Sequence, residues 1–120
     1  MKKFILICDD EEGIRESLKL ILEKDYELSF AIDGNEAINI IKKNPVDVVI
    51  MDIKMPRMDG IETMRKLKNI KPNTKILVTS GYKSVETAQE AVAAGAADYI
   101  VKPFERSDII KAVEKLVDQK

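Results

Sequence analysis

The chain has 120 residues, enough for one domain with one core and too few for two. Hydrophobic residues make up 45% and charged residues 34%, a folded rather than a disordered composition, and the net charge of −1 carries no nucleic-acid footprint. No apolar run is longer than a strand, one cysteine excludes an internal disulfide, and the absence of histidine excludes His-based triads, His metal ligands and His general bases.

The N-terminus has two lysines ahead of an apolar stretch, as a signal peptide does. That stretch is only about half a usual h-region and runs into Asp9, Asp10, Glu11 and Glu12, so it reads as a strand. Phe4 to Cys8 is apolar throughout, which predicts a central strand covered on both faces. Ile14, Leu18, Ile21 and Leu22 recur on one side of a first helix, with Arg15, Glu16, Lys19 and Glu23 toward water. Tyr26 to Ala31 alternates, Leu28 and Phe30 one way and Glu27 and Ser29 the other, which predicts a half-exposed edge strand. Asp33 and Glu36 have capping-box spacing and open a second helix carrying Ala37, Ile38, Ile40 and Ile41; Asn44-Pro45 ends it. Val48 to Met51 is a third strand, buried on both faces, and Asp52 stands where it runs out. Pro56 stops its continuation, and Asp59, three residues before Glu62, predicts the cap of a third helix that buries Ile61, Met64 and Leu67.

The second half repeats the pattern. Ile76 to Thr79 is a fourth, buried strand. A fourth helix runs from near Ser84 to Ala94, with Val85, Ala88, Ala91 and Val92 expected on its inner face and Gly95 suited to a left-handed C-cap. Tyr99 to Val101 is a short fifth strand, and Ile109, Ile110, Val113, Leu116 and Val117 mark an amphipathic fifth helix. Strict alternation of strand and helix calls for a parallel sheet covered on both faces, an α/β doubly wound fold. The first, third and fourth strands read as internal and the second as an edge, which the order 2-1-3-4-5 satisfies.

That order puts the topological switch between the first and third strands, where Asp9, Asp10 and Asp52 converge. Two unit charges about 5 Å apart repel by roughly 3 kcal/mol at an effective dielectric of about 20, so three carboxylates in one crevice call for a cation. Oxygen-only donors favour a hard divalent ion, Mg²⁺ being the one that keeps waters for a phosphate to displace. The plainer reading, that Asp9 and Asp10 cap the first helix, needs only one aspartate. Thr79 and Lys102 end the fourth and fifth strands at the same edge. Singly, each is more often structural or solvated. Together, a hydroxyl donor, an ammonium, a divalent cation and a carboxylate are the parts for stabilising a phosphoryl group on Asp52.

Asp9-Asp10-Glu11 after the first strand, Met51 to Gly60, Val78-Thr79-Ser80-Gly81, Gly95 to Tyr99 and Val101 to Phe104 together resemble the CheY-like receiver domain of two-component response regulators. The resemblance runs from Lys3 to about Leu116 with every motif in register, and it implies one receiver domain over residues 1–120, a (βα)5 flavodoxin-like fold and a cytoplasmic protein. It implies that Asp52 accepts a phosphoryl group from a sensor kinase's phosphohistidine. Asp10 and Asp52 would ligate Mg²⁺ with the backbone carbonyl of Lys54, Asp9 acting mainly through water. Lys102 would pair with Asp52 and then with the phosphoryl oxygens, Thr79 would move to bond them, and Tyr99 would rotate inward. The Lys102-Pro103 peptide would be cis. Implied partners are a sensor histidine kinase or phosphotransfer protein and a downstream target or output domain, with a homodimer through helix four, strand five and helix five among the assemblies the family allows. Neither nucleic-acid nor membrane binding is expected of these residues, and the only catalysis expected is of the domain's own phosphorylation and dephosphorylation.

Three other readings fit less well. A haloacid-dehalogenase-type phosphatase needs an acid two residues after the nucleophile, where this chain has Lys54. A flavodoxin-type FMN binder wants a Ser/Thr/Gly-rich loop after the first strand, where Asp9 to Glu12 would repel phosphate. A plain scaffolding module would leave the acids inert. The helix-four segment offers mostly small apolar residues, so it is expected to be weakly held and to shift on phosphorylation with strand five and helix five.

Overall fold

The computed structural model describes residues 2–53, 60–81 and 85–118. Strands and helices alternate as β1 (Lys3–Cys8), α1 (Glu12–Leu22), β2 (Tyr26–Ala31), α2 (Gly34–Lys43), β3 (Val48–Asp52), α3 (Gly60–Ile70), β4 (Lys75–Ser80), α4 (Val85–Ala93), β5 (Asp98–Val101) and α5 (Arg106–Asp118). The strands form one five-stranded parallel sheet in the order β2-β1-β3-β4-β5, the arrangement expected from strand hydrophobicity. β3 is buried at every position because it is both central and covered on both faces, whereas β2 lies at the edge with Glu27 and Phe30 exposed.

Period-two alternation divides the core in two. Ile5, Ile7, Val48, Ile50 and Leu77 point to one side, where Leu18 and Leu22 of α1 and Ile109, Val113 and Leu116 of α5 cover them. Leu6, Val49, Met51, Ile76 and Val78 point to the other, beneath α2, α3 and α4. At about 2 kcal/mol for each large side chain removed from water, these two layers are the main source of stability.

Local signals set most helix ends. Asp33 caps α2, its Oδ1 accepting from the Glu36 N–H at 3.0 Å, and Glu36 Oε1 accepts from the Ile32 N–H at 2.8 Å. Gly95, with φ of 112°, follows α4 in the left-handed region that favours glycine. Gly60 opens α3 where a Cβ would lie 2.3 Å from the Ile53 Cα, so only glycine lets the helix start against the residue after Asp52. Pro56, the cap expected at Asp59 and the start of α4 near Ser84 lie outside the described residues.

The inner face of α4 differs from the expected one. Val85 and Val92 are 70% and 61% exposed, and Ala91 is the residue of the helix that is fully buried. Helix phase is the reason. Ala91 and Ala94 turn toward the sheet and are buried, while the valines, a heptad apart, share an outward stripe with Gln89 and half-buried Ala88. The helix is held by alanine-sized contacts, so it buries less apolar surface than the sequence suggests.

Candidate functional site at the carboxyl edge of the sheet

The alternation that packs the core also aims the polar residues at the strand ends. Following Ile5 and Ile7, the next residue on the α1/α5 side is Asp9; following Val48 and Ile50 it is Asp52; following Leu77 it is Thr79; following Ile100 it is Lys102. Asp52 and Thr79 are register partners across β3 and β4. Four functional groups therefore arrive on one side of one edge because their strands end in step.

Asp9 is 1% and Asp52 5% exposed, and both carboxylates face the Lys102 ammonium. Lys102 Nζ lies 2.9 Å from Asp9 Oδ2 and 3.2 Å from Asp52 Oδ2, so it bridges the ends of β1 and β3. Burial by itself would lower the lysine pKa. The hydrogen bond to Asp9 and the charges of Asp9 and Asp52 outweigh burial and hold it above its usual value. One cation between two buried acids leaves the rest of the edge acidic. Asp9, Asp10, Glu11 and Asp52 each bring a carboxylate oxygen within 4.8 Å of the others, a group that could hold a metal ion.

Of the expected metal set, the structure brings together Asp9, Asp10 and Asp52, while Lys54 lies outside the described residues. Glu11 joins them although the sequence did not single it out; its place directly after two aspartates was the available signal. The capping reading is met only partly. The N-cap position of α1 is Glu11, without a side-chain cap bond; Asp9 Oδ1 accepts from the Glu11 N–H at 2.9 Å, and Asp10 takes no part. Arg15 Nη1 donates to the Asp9 carbonyl at 3.0 Å and pins the turn that presents these acids.

Thr79 is 1% exposed, and its Oγ1 is the buried side-chain polar atom among the described residues that has no hydrogen-bond partner. A buried hydroxyl left in this state costs about 1–3 kcal/mol, which a ligand oxygen would repay. Tyr99 pairs in register with Val78 and packs, half-buried, on the α2–α3–α4 side. The Lys102-Pro103 peptide is cis. Cys8, one residue before Asp9, is fully buried, and burial followed by the charges of Asp9, Asp33 and Asp52 pushes its thiol up to about 12. It is packing, not a nucleophile.

Residues 5–114 match the response regulator receiver domain family. The chain belongs to that family. Chemotaxis protein CheY of Thermotoga maritima is 42% identical over 118 residues, covering 97% of this chain and 98% of that relative. Among solved structures, a CheY-like receiver domain protein of Methanospirillum hungatei superposes with a TM-score of 0.93 at 34% identity, over 98% of this chain and 95% of that one. The beryllofluoride-activated NtrC4 receiver domain dimer gives a TM-score of 0.91 at 32% identity, over 96% of each chain. The chain is thus a receiver domain of two-component response regulators, with the fold of its relatives. No helix among the described residues is long and apolar enough to cross a membrane.

Proposed function

We propose that this receiver domain stores a signal as a phosphoryl group on Asp52, and the observation that carries the reading is Lys102 Nζ seated between Asp9 and Asp52, at the sheet edge where the buried Thr79 hydroxyl has no partner among the described residues. An Asp52 carboxylate oxygen attacks the phosphorus of a phosphohistidine on a sensor kinase or phosphotransfer protein. The P–O bond forms as the P–N bond breaks, and the imidazole leaves with the bonding pair. The transferred group adds close to two negative charges and new acceptor oxygens. Lys102 then shares its charge between Asp9 and those oxygens, and the Thr79 O–H donates to one of them. Water later attacks the same phosphorus, returning Asp52 and inorganic phosphate. The domain is a phosphoacceptor, with no turnover beyond its own phosphorylation and dephosphorylation.

The oxygen-only cluster suits Mg²⁺. Asp10 and Asp52 would hold it with the Lys54 carbonyl, and Asp9 would act through water. Bound there, the ion supplies the positive charge that lets an anionic phosphodonor approach four carboxylates. Asp10 and Glu11 are exposed and open to a cation, whereas Asp9 is already engaged by Lys102 and the Glu11 N–H.

The output is a change in the α4–β5–α5 face. Val85 and Val92 give α4 an apolar outer stripe and alanines hold its inner one, so this helix has the least apolar contact to break on moving. That face would meet a target, an output domain or a second receiver.

Acetyl phosphate with Mg²⁺ tests the chemistry. Intact-mass analysis should find one acid-stable, base-labile phosphoryl group in the wild type and none in Asp52→Asn; labelling that survives in Asp52→Asn would end the proposal. Hydrogen exchange with and without beryllofluoride tests the switch, and equal protection of Val85 to Gly95 in both states would count against it.

A further inference from the structure

At the foot of the sheet, opposite Asp52, a cleft of about 300 Å³ opens between the start of β1, the α2–β3 and α3–β4 connections and the last turns of α5. We propose that this cleft binds a small organic phosphate, an anionic group joined to a flat apolar body, independently of the chemistry at Asp52.

Charge is the first observation. Lys3, Lys71 and Lys75 line the cleft, and among the described residues none of the three is in an ion pair. Asp47 is the one acid lining it, and its Oδ2 is occupied by the Phe4 N–H at 2.8 Å. The chain as a whole carries −1, so this excess of positive charge is local. Neighbouring Lys68 feels it: burial first, then the charge of Lys75, lowers its pKa.

Rigidity is the second. The walls are tied strand to loop and loop to loop. The Asp47 N–H donates to the Phe4 carbonyl at 2.8 Å and the Lys75 N–H to the Asp47 carbonyl at 3.0 Å. Thr74 Oγ1 donates to the Val46 carbonyl at 2.9 Å, and Lys68 Nζ bonds the Pro72 and Thr74 carbonyls at 2.7 and 3.0 Å. A ligand would find the floor already ordered, which removes much of the entropic cost of binding.

Shape and lining select the class. Leu116, Val117 and Pro72 offer an apolar wall beside the lysines, so the cleft suits a ligand with a flat apolar end and a charged end. With one engaged carboxylate it is no cation site. Its volume is at the small end of ligand cavities, which limits the body to about one ring system.

The test is a ¹H–¹⁵N titration of the whole chain with ADP, adenosine and inorganic pyrophosphate, in buffer free of divalent cations so that the acidic edge recruits no phosphate. ADP should give saturable shifts at Lys3, Asp47 and Lys71 to Lys75, with adenosine and pyrophosphate each weaker. Lys3→Gln and Lys71→Gln, both at exposed positions, should each weaken ADP by about fivefold to tenfold. Lys19→Gln on α1 and Asp52→Asn should change it by less than about twofold. ADP shifts that spread evenly over lysines elsewhere, or Lys19→Gln matching Lys71→Gln, would overturn the proposal, as would pyrophosphate binding as tightly as ADP.

Discussion

β3 and β4 each run between two polar residues of the same kind, and the two ends treat them differently. At the foot, Asp47 accepts the Phe4 N–H and buried Thr74 donates to the Val46 carbonyl. At the other edge, Asp52 shares one ammonium with Asp9 beside two more acids, and buried Thr79 has no partner among the described residues. The threonine hydroxyl holds the fold at one end and has no partner among the described residues at the other, while the aspartate goes from a backbone N–H to a shared ammonium. A buried hydroxyl that helps fold a protein is satisfied inside it, while one left without a partner is open to a ligand.

The largest break in that comparison is removal of Lys102. Lys102→Met leaves two buried carboxylates without their cation, and uncompensated buried charge of this kind costs roughly 3 kcal/mol. Urea denaturation in chelator should show that loss, and Mg²⁺ should restore more stability to the variant than it adds to the wild type. Unchanged stability in chelator would mean that Lys102 does not hold the edge together.

The two threonines sharpen the contrast without moving charge. Thr74→Val removes a donor from the Val46 carbonyl and should cost about 1–2 kcal/mol. Thr79→Val keeps the shape, deletes an orphaned hydroxyl and should stabilise by about 1–3 kcal/mol. Equal losses in both variants would erase the distinction between the two ends.

Much of this was legible in the residues. Apolar runs named the central strands, alternation named β2 as an edge, and strand ends carrying Asp9, Asp52, Thr79 and Lys102 named the edge at which these four residues meet, because period two and strand order together fix where a terminal side chain points. The phase of α4 was not legible. Its segment offers alanines and valines on adjoining stripes, and only packing against the sheet decides between them. Nor was the foot cleft, since Lys3 lies some seventy residues from the Lys71 to Lys75 stretch and ordinary surface lysines would read the same in both places.

A smaller effect follows from the crowding of acids. Asp10 is exposed, takes no hydrogen bond among the described residues and sits with Asp9, Glu11 and Asp52. Asp10→Asn should therefore stabilise the metal-free protein by a few tenths of a kcal/mol, a gain that salt screens away. The same change should raise the Mg²⁺ concentration needed for half-saturation by calorimetric titration. A variant that binds Mg²⁺ as the wild type does would remove Asp10 from the ligand set.

The finest contrast is between two lysines. Lys102, facing Asp9 and Asp52, titrates above the usual lysine value, whereas Lys68, partly buried and near Lys75, titrates below it. The signs on stability are opposite. Lys102 contributes stability that is fully present below the ordinary lysine pKa of about 10.4 and is lost as pH rises through its raised value. Lys68 must hold its proton in an environment that disfavours it, so its cost is present below its depressed pKa and is relieved as pH rises from there to the ordinary value. Carbon-13 spectra of the reductively methylated protein should resolve the two midpoints in that order. Lys75→Gln should move the Lys68 midpoint up and leave that of Lys102 where it was; if both move together, the field at the foot is not separate from the field at the acidic edge.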